Sequence, residues 1–498
     1  MKSFSRFLFC LIFLVPLASF AKSDELLRVQ ISSDPYSLDP ALTTELVSYN
    51  LLKNMMDGLY RLDREGNLQP ALAEAHTVSK NGLIYKFSLR KSARWSDGQP
   101  VQVPELIAGF TRALDPKVGA PNADLLDAIK NAREIRQGKK PMAALGVREE
   151  GGQLVIELER PDASLLQVLT MPIVMPVRKE HLSEDPRKWN PLGPTTGRFK
   201  LTSLKSDKEL RLEPNPHHPN PAKRKILFQV LPEEATALSL FESGHLDVLS
   251  GVTLTEVERL RAKGLIRQFP STVVAYMSFN TIRAPTSDRD FRDAVAGAMD
   301  RDGTVKVLGS AFQPVTSFVP NGIEGYKSFE KVDRKSSMEK LRARAEKPRL
   351  KFAYGAAAVN DMVMQKIQND LKTKLSIEVE LQPLEWKTFL GRLKSDPPDV
   401  YFMGLGAPYA DPMYHLSNFS SGQSAGYSRY NNPAYDSLLE EIKKTPSGKR
   451  RKELAEKAQT ILIEKDAVVI PVFSRAQVFG VGKDVKDFAV NPHGIMEF

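Results

Sequence analysis

The chain has 498 residues, 42% hydrophobic and 26% charged, with one Cys, 30 Gly and 34 Pro, proportions that exclude a disordered, collagen-like or disulfide-stapled protein. Its net charge of +10 is a small excess of 70 basic over 60 acidic residues, without the Lys/Arg run and interleaved aromatics that track a nucleic-acid backbone. At roughly 150 residues per domain the length allows about three structural units, each large enough for its own core.

At the N-terminus Lys2 and Arg6 precede an apolar run from Phe7 to Phe20, and Ser19-Phe20-Ala21 puts small residues where a signal peptidase reads. Residues 1–21 are therefore expected to be a signal peptide cut before Lys22. The run is too short for the roughly 20 residues that span a bilayer, so export and not anchoring is expected. Cys10 follows Phe9, where a lipoprotein signal would need a small residue, and its removal would leave a chain without cysteine. That fits a bacterial periplasm or envelope.

Leu26 to Ile31 alternates as a first strand and is closed by Ser32-Ser33-Asp34-Pro35. Thr43 or Thr44 is placed to cap a helix in which Leu46, Tyr49, Leu52, Lys53 and Met56 recur at helical spacing before Gly58. From Asp57 to Thr170 short strands and turns dominate: Tyr85 to Arg90, the turn around Trp95, and Leu154 to Leu158 before a helix opened by Pro161 to Ser164. This reads as a compact α+β unit. Beyond Leu201 the strands Ile226 to Leu231 and Leu246 to Leu249 flank a helix from about Glu233 to Ser243, a βαβ pattern that predicts a parallel or mixed sheet. The pattern returns with strands at Arg349 to Tyr354, Ile377 to Leu381 and Val400 to Met403, separated by helices near Met362 to Lys374 and Trp386 to Leu393. Two α/β lobes and an inserted unit follow.

Catalytic patterns are weak. Gly422-Gln423-Ser424-Ala425-Gly426 matches a nucleophile elbow, but the flanks have loop composition where a strand and a helix are required. His217-His218 lies between prolines and no His spacing suits zinc; Gly404-Leu405-Gly406 lacks the third glycine of a dinucleotide loop. Glu233-Glu234 and Glu440-Glu441 fall on predicted helices as solvated charge. No catalytic residue, metal or cofactor is expected.

Several short motifs occur in order: Ser37-Leu38-Asp39-Pro40, Asp57-Gly58-Leu59, Pro70-Ala71-Leu72-Ala73-Glu74, Phe87 to Lys91, Trp95 to Val101, Ser243 to Asp247, Phe279-Asn280-Thr281, Ala298 to Arg301, Glu385 to Phe389 and Tyr430 to Asp436. In this order the chain resembles the periplasmic oligopeptide-binding proteins of ABC importers, the extracellular solute-binding proteins of the peptide and nickel family. The resemblance implies an α/β, two-lobed periplasmic-binding-protein fold (type II, cluster C-like) with an extra inserted α+β domain. It places lobe I at 22–56, 171–271 and 468–498, the insert at 57–170 and lobe II at 272–467. It further implies a monomeric, non-enzymatic periplasmic protein that captures a peptide or peptide-like solute between its lobes for an inner-membrane permease.

The same resemblance places ligand contacts at Thr44, Leu46 and Trp386 and along the loop holding Phe402, Gly404, Leu405, Gly406, Pro408, Tyr409 and Asp411. The loop departs from the family pattern. Pro408 stands at the Asp that pairs with the peptide amine, Phe402 at an Arg, Leu405 at a Trp and Leu393 at a second Arg. Asp411 is the residue that could restore the carboxylate, and blocked peptides are expected to bind at least as well as free ones. Two other classes remain: an exported serine hydrolase using Ser424, and a signalling or chaperone-like binding module.

Overall fold

The computed structural model describes residues 26–330, 332–422 and 427–498. The expected signal peptide and Ser424 lie outside the described residues.

The strand Leu26–Ile31 buries Leu27, Val29 and Ile31, as its alternation predicts. It pairs in parallel with Lys225–Val230 along its whole length and with Val248–Leu249 on its other edge. The helix Glu234–Glu242 carries the chain from one neighbour to the other, the crossover that parallel strands require. The antiparallel hairpin Phe199–Lys205 and Glu209–Pro214 extends one side of this sheet, and Gln477–Val481 and Ile266–Phe269 complete the other, giving seven strands.

The second sheet has six strands in the order Phe312–Pro314, Val469–Arg475, Val274–Phe279, Val400–Leu405, Arg349–Gly355 and Glu378–Leu384. Its parallel part follows the reading of the sequence: Arg349–Gly355 pairs with Glu378–Leu384 and with Val400–Leu405, across the helices Ala358–Leu375 and Trp386–Ser395. Every residue of Val274–Phe279 is buried, so this strand reads as an apolar run without alternation.

Between residues 57 and 170 lies a four-stranded antiparallel sheet, Ala73–Val78, Ile84–Leu89, Gln153–Glu157 and Val147–Glu150, with the helix Val103–Leu114 packed against it. Trp95 is fully buried here, its indole N–H donating to Glu105 at 2.8 Å. Gly109 sits where a Cβ would come within 2.2 Å of the Met175 carbonyl oxygen, so this helix contact needs a residue without a side chain. The core of this unit runs on into the seven-stranded sheet: Phe87, Trp95 and Phe110 belong to one buried cluster with Val29 and Phe228.

The chain crosses between the two large sheets at two places. Residues 270–273 join Ile266–Phe269 to Val274–Phe279, and Ala476 alone joins Val469–Arg475 to Gln477–Val481. Phe269 faces Gln477 in one sheet and Val274 faces Ser474 in the other, so the crossings run side by side. This corrects the expected return to the first lobe at 468. Val469–Arg475 still belongs to the second sheet, because its apolar residues complete the buried flank of Val274–Phe279.

A second correction concerns the first helix. Leu46–Met55 is capped by the Glu45 carboxylate, which accepts from the N–H groups of Val47 and Ser48 at 2.5 and 2.8 Å. Thr43 instead donates its hydroxyl to the Asp39 carbonyl. An acidic cap also suits the positive end of the helix dipole. Glu45→Ala is expected to cost about 1 kcal/mol, read as a lower denaturant midpoint.

Candidate functional site

A cleft of about 790 Å³ opens where the two crossings pass, and Ser271, Thr272 and Val273 of one crossing and Arg475, Ala476 and Gln477 of the other line it. The seven-stranded side contributes Thr44, Leu46, Tyr49 and Lys53 from the segment after the first strand, with Ser250 to Val252 and Pro492 to Ile495. The six-stranded side contributes the loop Gly406 to Tyr409, which leaves the carboxyl end of Val400–Leu405. Asn122, Leu125, Met171 and Pro172 close one flank. Strand ends of α/β sheets favour such sites, since the loops there project beyond the packed layers.

The loop is held by hydrogen bonds from both sides. Thr272 donates its hydroxyl to the Ala407 carbonyl at 3.1 Å and accepts from the Ala407 N–H at 3.2 Å. The His493 imidazole bonds the same carbonyl through Nδ1 at 2.8 Å. On the opposite wall the Asn122 amide bonds the Tyr49 hydroxyl at 3.2 Å and the Thr43 carbonyl at 3.1 Å. Burial pushes the Tyr49 phenol up to about 12, so it stays a neutral hydrogen-bonding group.

Five of the expected contacts come together in the cleft: Thr44, Leu46, Gly406, Pro408 and Tyr409. Leu46 is 49% exposed, an apolar side chain standing open to the cleft. Tyr409 is buried against Tyr414, ring centroids 5.7 Å apart.

The others lie elsewhere. Phe402 is buried within the core of the six-stranded sheet beside Phe473, because even positions of Val400–Leu405 face that core. Gly404 pairs with Ala275, and Leu405 lines a separate cavity of about 320 Å³ with Tyr409 and Tyr414. Trp386 is half exposed on its helix, packed against Phe389 and over Gly355 and outside the cleft lining. Asp411 is 1% exposed and taken up by Arg451, whose Nη2 reaches both carboxylate oxygens at 3.0 and 2.9 Å. It has no surface left for a ligand amine.

Lys53 also lines the cleft, a place that the sequence signals only by setting this lysine among the apolar positions of one helical face. Among the described residues lining the cleft, Glu234 is the only carboxylate, against the basic side chains of Lys53 and Arg475. Around Ser424 the described flanks are the short turn Ser417–Phe419 and the helix Pro433–Lys444. No strand leads into that loop from these residues, as a nucleophile elbow would require.

The family model of bacterial extracellular solute-binding proteins, family 5, matches residues 67–427. The periplasmic oligopeptide-binding protein OppA of Salmonella typhimurium is 29% identical, over 89% of this chain and 85% of its own length. The periplasmic murein peptide-binding protein MppA of Escherichia coli is 28% identical, over 91% and 88%. A solved structure of MppA in its unliganded open form superposes with a TM-score of 0.83 at 25% identity, covering 96% of this chain and 98% of that one. A second MppA structure gives 0.73 at 26% identity. These relatives are binding proteins of two-lobed fold, and the three sheets described above reproduce that architecture. With the family model spanning most of its length, the chain belongs to the bacterial extracellular solute-binding proteins of family 5.

Proposed function

We propose that this chain is the periplasmic, monomeric substrate-binding component of an ABC importer, carrying a peptide or peptide-like solute to an inner-membrane permease. The observation that carries this reading is the cleft floored by two adjacent crossings, one of them a single residue long. Short paired connections let two sheets rotate as bodies while the strands within each stay paired. A solute touching both walls favours the closed arrangement over the open one, and the permease can then distinguish loaded from empty protein. The names of MppA and OppA add that relatives with this fold bind peptides. The reading includes lobe I without Val469–Arg475, an insert at 57–170, and export through residues 1–21.

An extended peptide in such a cleft draws affinity from main-chain hydrogen bonds, which any sequence can supply. Its free ammonium, however, finds Pro408 and a fully occupied Asp411 near the loop. A charge desolvated without a partner loses affinity. Isothermal titration with free and N-acetylated alanine peptides of three to five residues tests this. The acetylated series is expected to bind at least as tightly as the free one. Failure of both series to bind removes the peptide reading; a strong preference for free amines removes the role given to Pro408.

A further inference from the structure

Building on the peptide reading, we propose that Lys53 is the carboxylate-binding residue of the cleft, so that the solute carries an anionic group positioned against its ammonium. Lys53 lies four residues after Tyr49 on the helix Leu46–Met55, and both side chains line the cleft. Residues at this spacing share a helical face. The Lys53 ammonium has three donors and no hydrogen bond or ion pair among the described residues, although the side chain is partly buried. Burial pushes it down to about 7, with Asp57 opposing the shift. Asp57 itself is engaged with His218 at 3.0 Å.

An unpaired ammonium in such surroundings is costly, and a carboxylate arriving with the solute would relieve the cost. There is room for it. Lys53, Pro408 and Ile495 also line a second cavity of about 570 Å³, so Lys53 borders two spaces and is not enclosed in a packed core. The charge balance of the cleft points the same way, since its one carboxylate, Glu234, also borders a separate cavity formed by Ala235, Thr253 and Thr255.

A solute carboxylate can come from a peptide's C-terminus or from an acidic side chain. Titration of the whole exported chain with N-acetyl-Ala-Ala-Ala as acid and as amide, and with the amides of N-acetyl-Ala-Glu-Ala and N-acetyl-Ala-Gln-Ala, separates these sources. In at least one pair the carboxylate member is expected to bind about tenfold or more tightly, the worth of a charge-assisted hydrogen bond. Lys53→Met is expected to abolish that preference and Lys53→Arg to keep it. Removing an unpaired ammonium leaves a packed apolar chain, so Lys53→Met should also melt no lower than the parent, which shows that it folds. Equal binding within both pairs, or a preference that survives in Lys53→Met, overturns the proposal while leaving peptide binding intact. Absence of binding by all four peptides overturns the peptide reading and this proposal together.

Discussion

Arg451→Met is expected to lower stability by about 3–5 kcal/mol, the cost of leaving one partner of a buried ion pair alone. Arg451 is 2% exposed on the helix Lys449–Gln459 and satisfies four acceptors: both Asp411 oxygens, Glu324 at 3.1 Å and the Ile442 carbonyl at 3.1 Å. Asp411 also accepts from the Met413 N–H at 2.8 Å, which fixes the turn after the cleft loop. With arginine gone, a buried carboxylate faces an apolar side chain and must either stay charged without a partner or take up a proton. Replacing both members, as in Asp411→Asn with Arg451→Met, should recover part of the loss, because the fully buried carboxylate is then gone and only the less buried Glu324 loses its arginine. Denaturant unfolding of the two variants measures this, and an Arg451→Met midpoint equal to the parent's would refute it. Peptide titration of Asp411→Asn adds a functional arm. A residue committed to Arg451 cannot also hold a ligand amine, so the preference between free and acetylated peptides should not change.

The second large effect is in the pH dependence of stability. His415, fully buried beside Phe318 with ring centroids 5.4 Å apart, is pushed down to about 4 by burial, the nearby carbonyls of Leu405 and Thr272 opposing the shift. In the unfolded chain an imidazole titrates near 6.5. Above that value neither state binds the proton and the full stability is present. Between about 6.5 and 4 the unfolded chain is protonated while the folded one is not, so stability falls as pH falls, by about 3 kcal/mol in all. Below about 4 both states are charged and this contribution levels off. His415→Gln is expected to flatten the slope across that window, read from thermal melts at stepped pH. An unchanged slope would assign the acid sensitivity to other groups. The position matters because Met413–Leu416 directly follows the cleft loop, so acid loosening would begin beside the binding site.

The alternation of Leu26 to Ile31 and the helical spacing around Tyr49 were sufficient to predict those elements, because local backbone period decides which side chains face a layer. The same holds for the strands and helices between Arg349 and Leu405, whose order matches the structure element for element. The site was legible only in part. Thr44, Leu46 and Pro408, which the family resemblance placed at ligand contacts, line the cleft, but Phe402, one position before Met403 on the same strand, points into the core, and only strand pairing shows which face is which.

By itself the sequence determined the succession of elements, the family of the fold and the absence of a carboxylate at Pro408, all of which depend on residue type and local spacing. The tertiary structure alone decided that Asp411 belongs to a residue 40 positions away, that Val469–Arg475 completes the second sheet, and that Lys53 lines the cleft with no hydrogen bond or ion pair among the described residues. Those outcomes depend on which distant groups are desolvated together, and desolvation is set by packing across the chain and not along it.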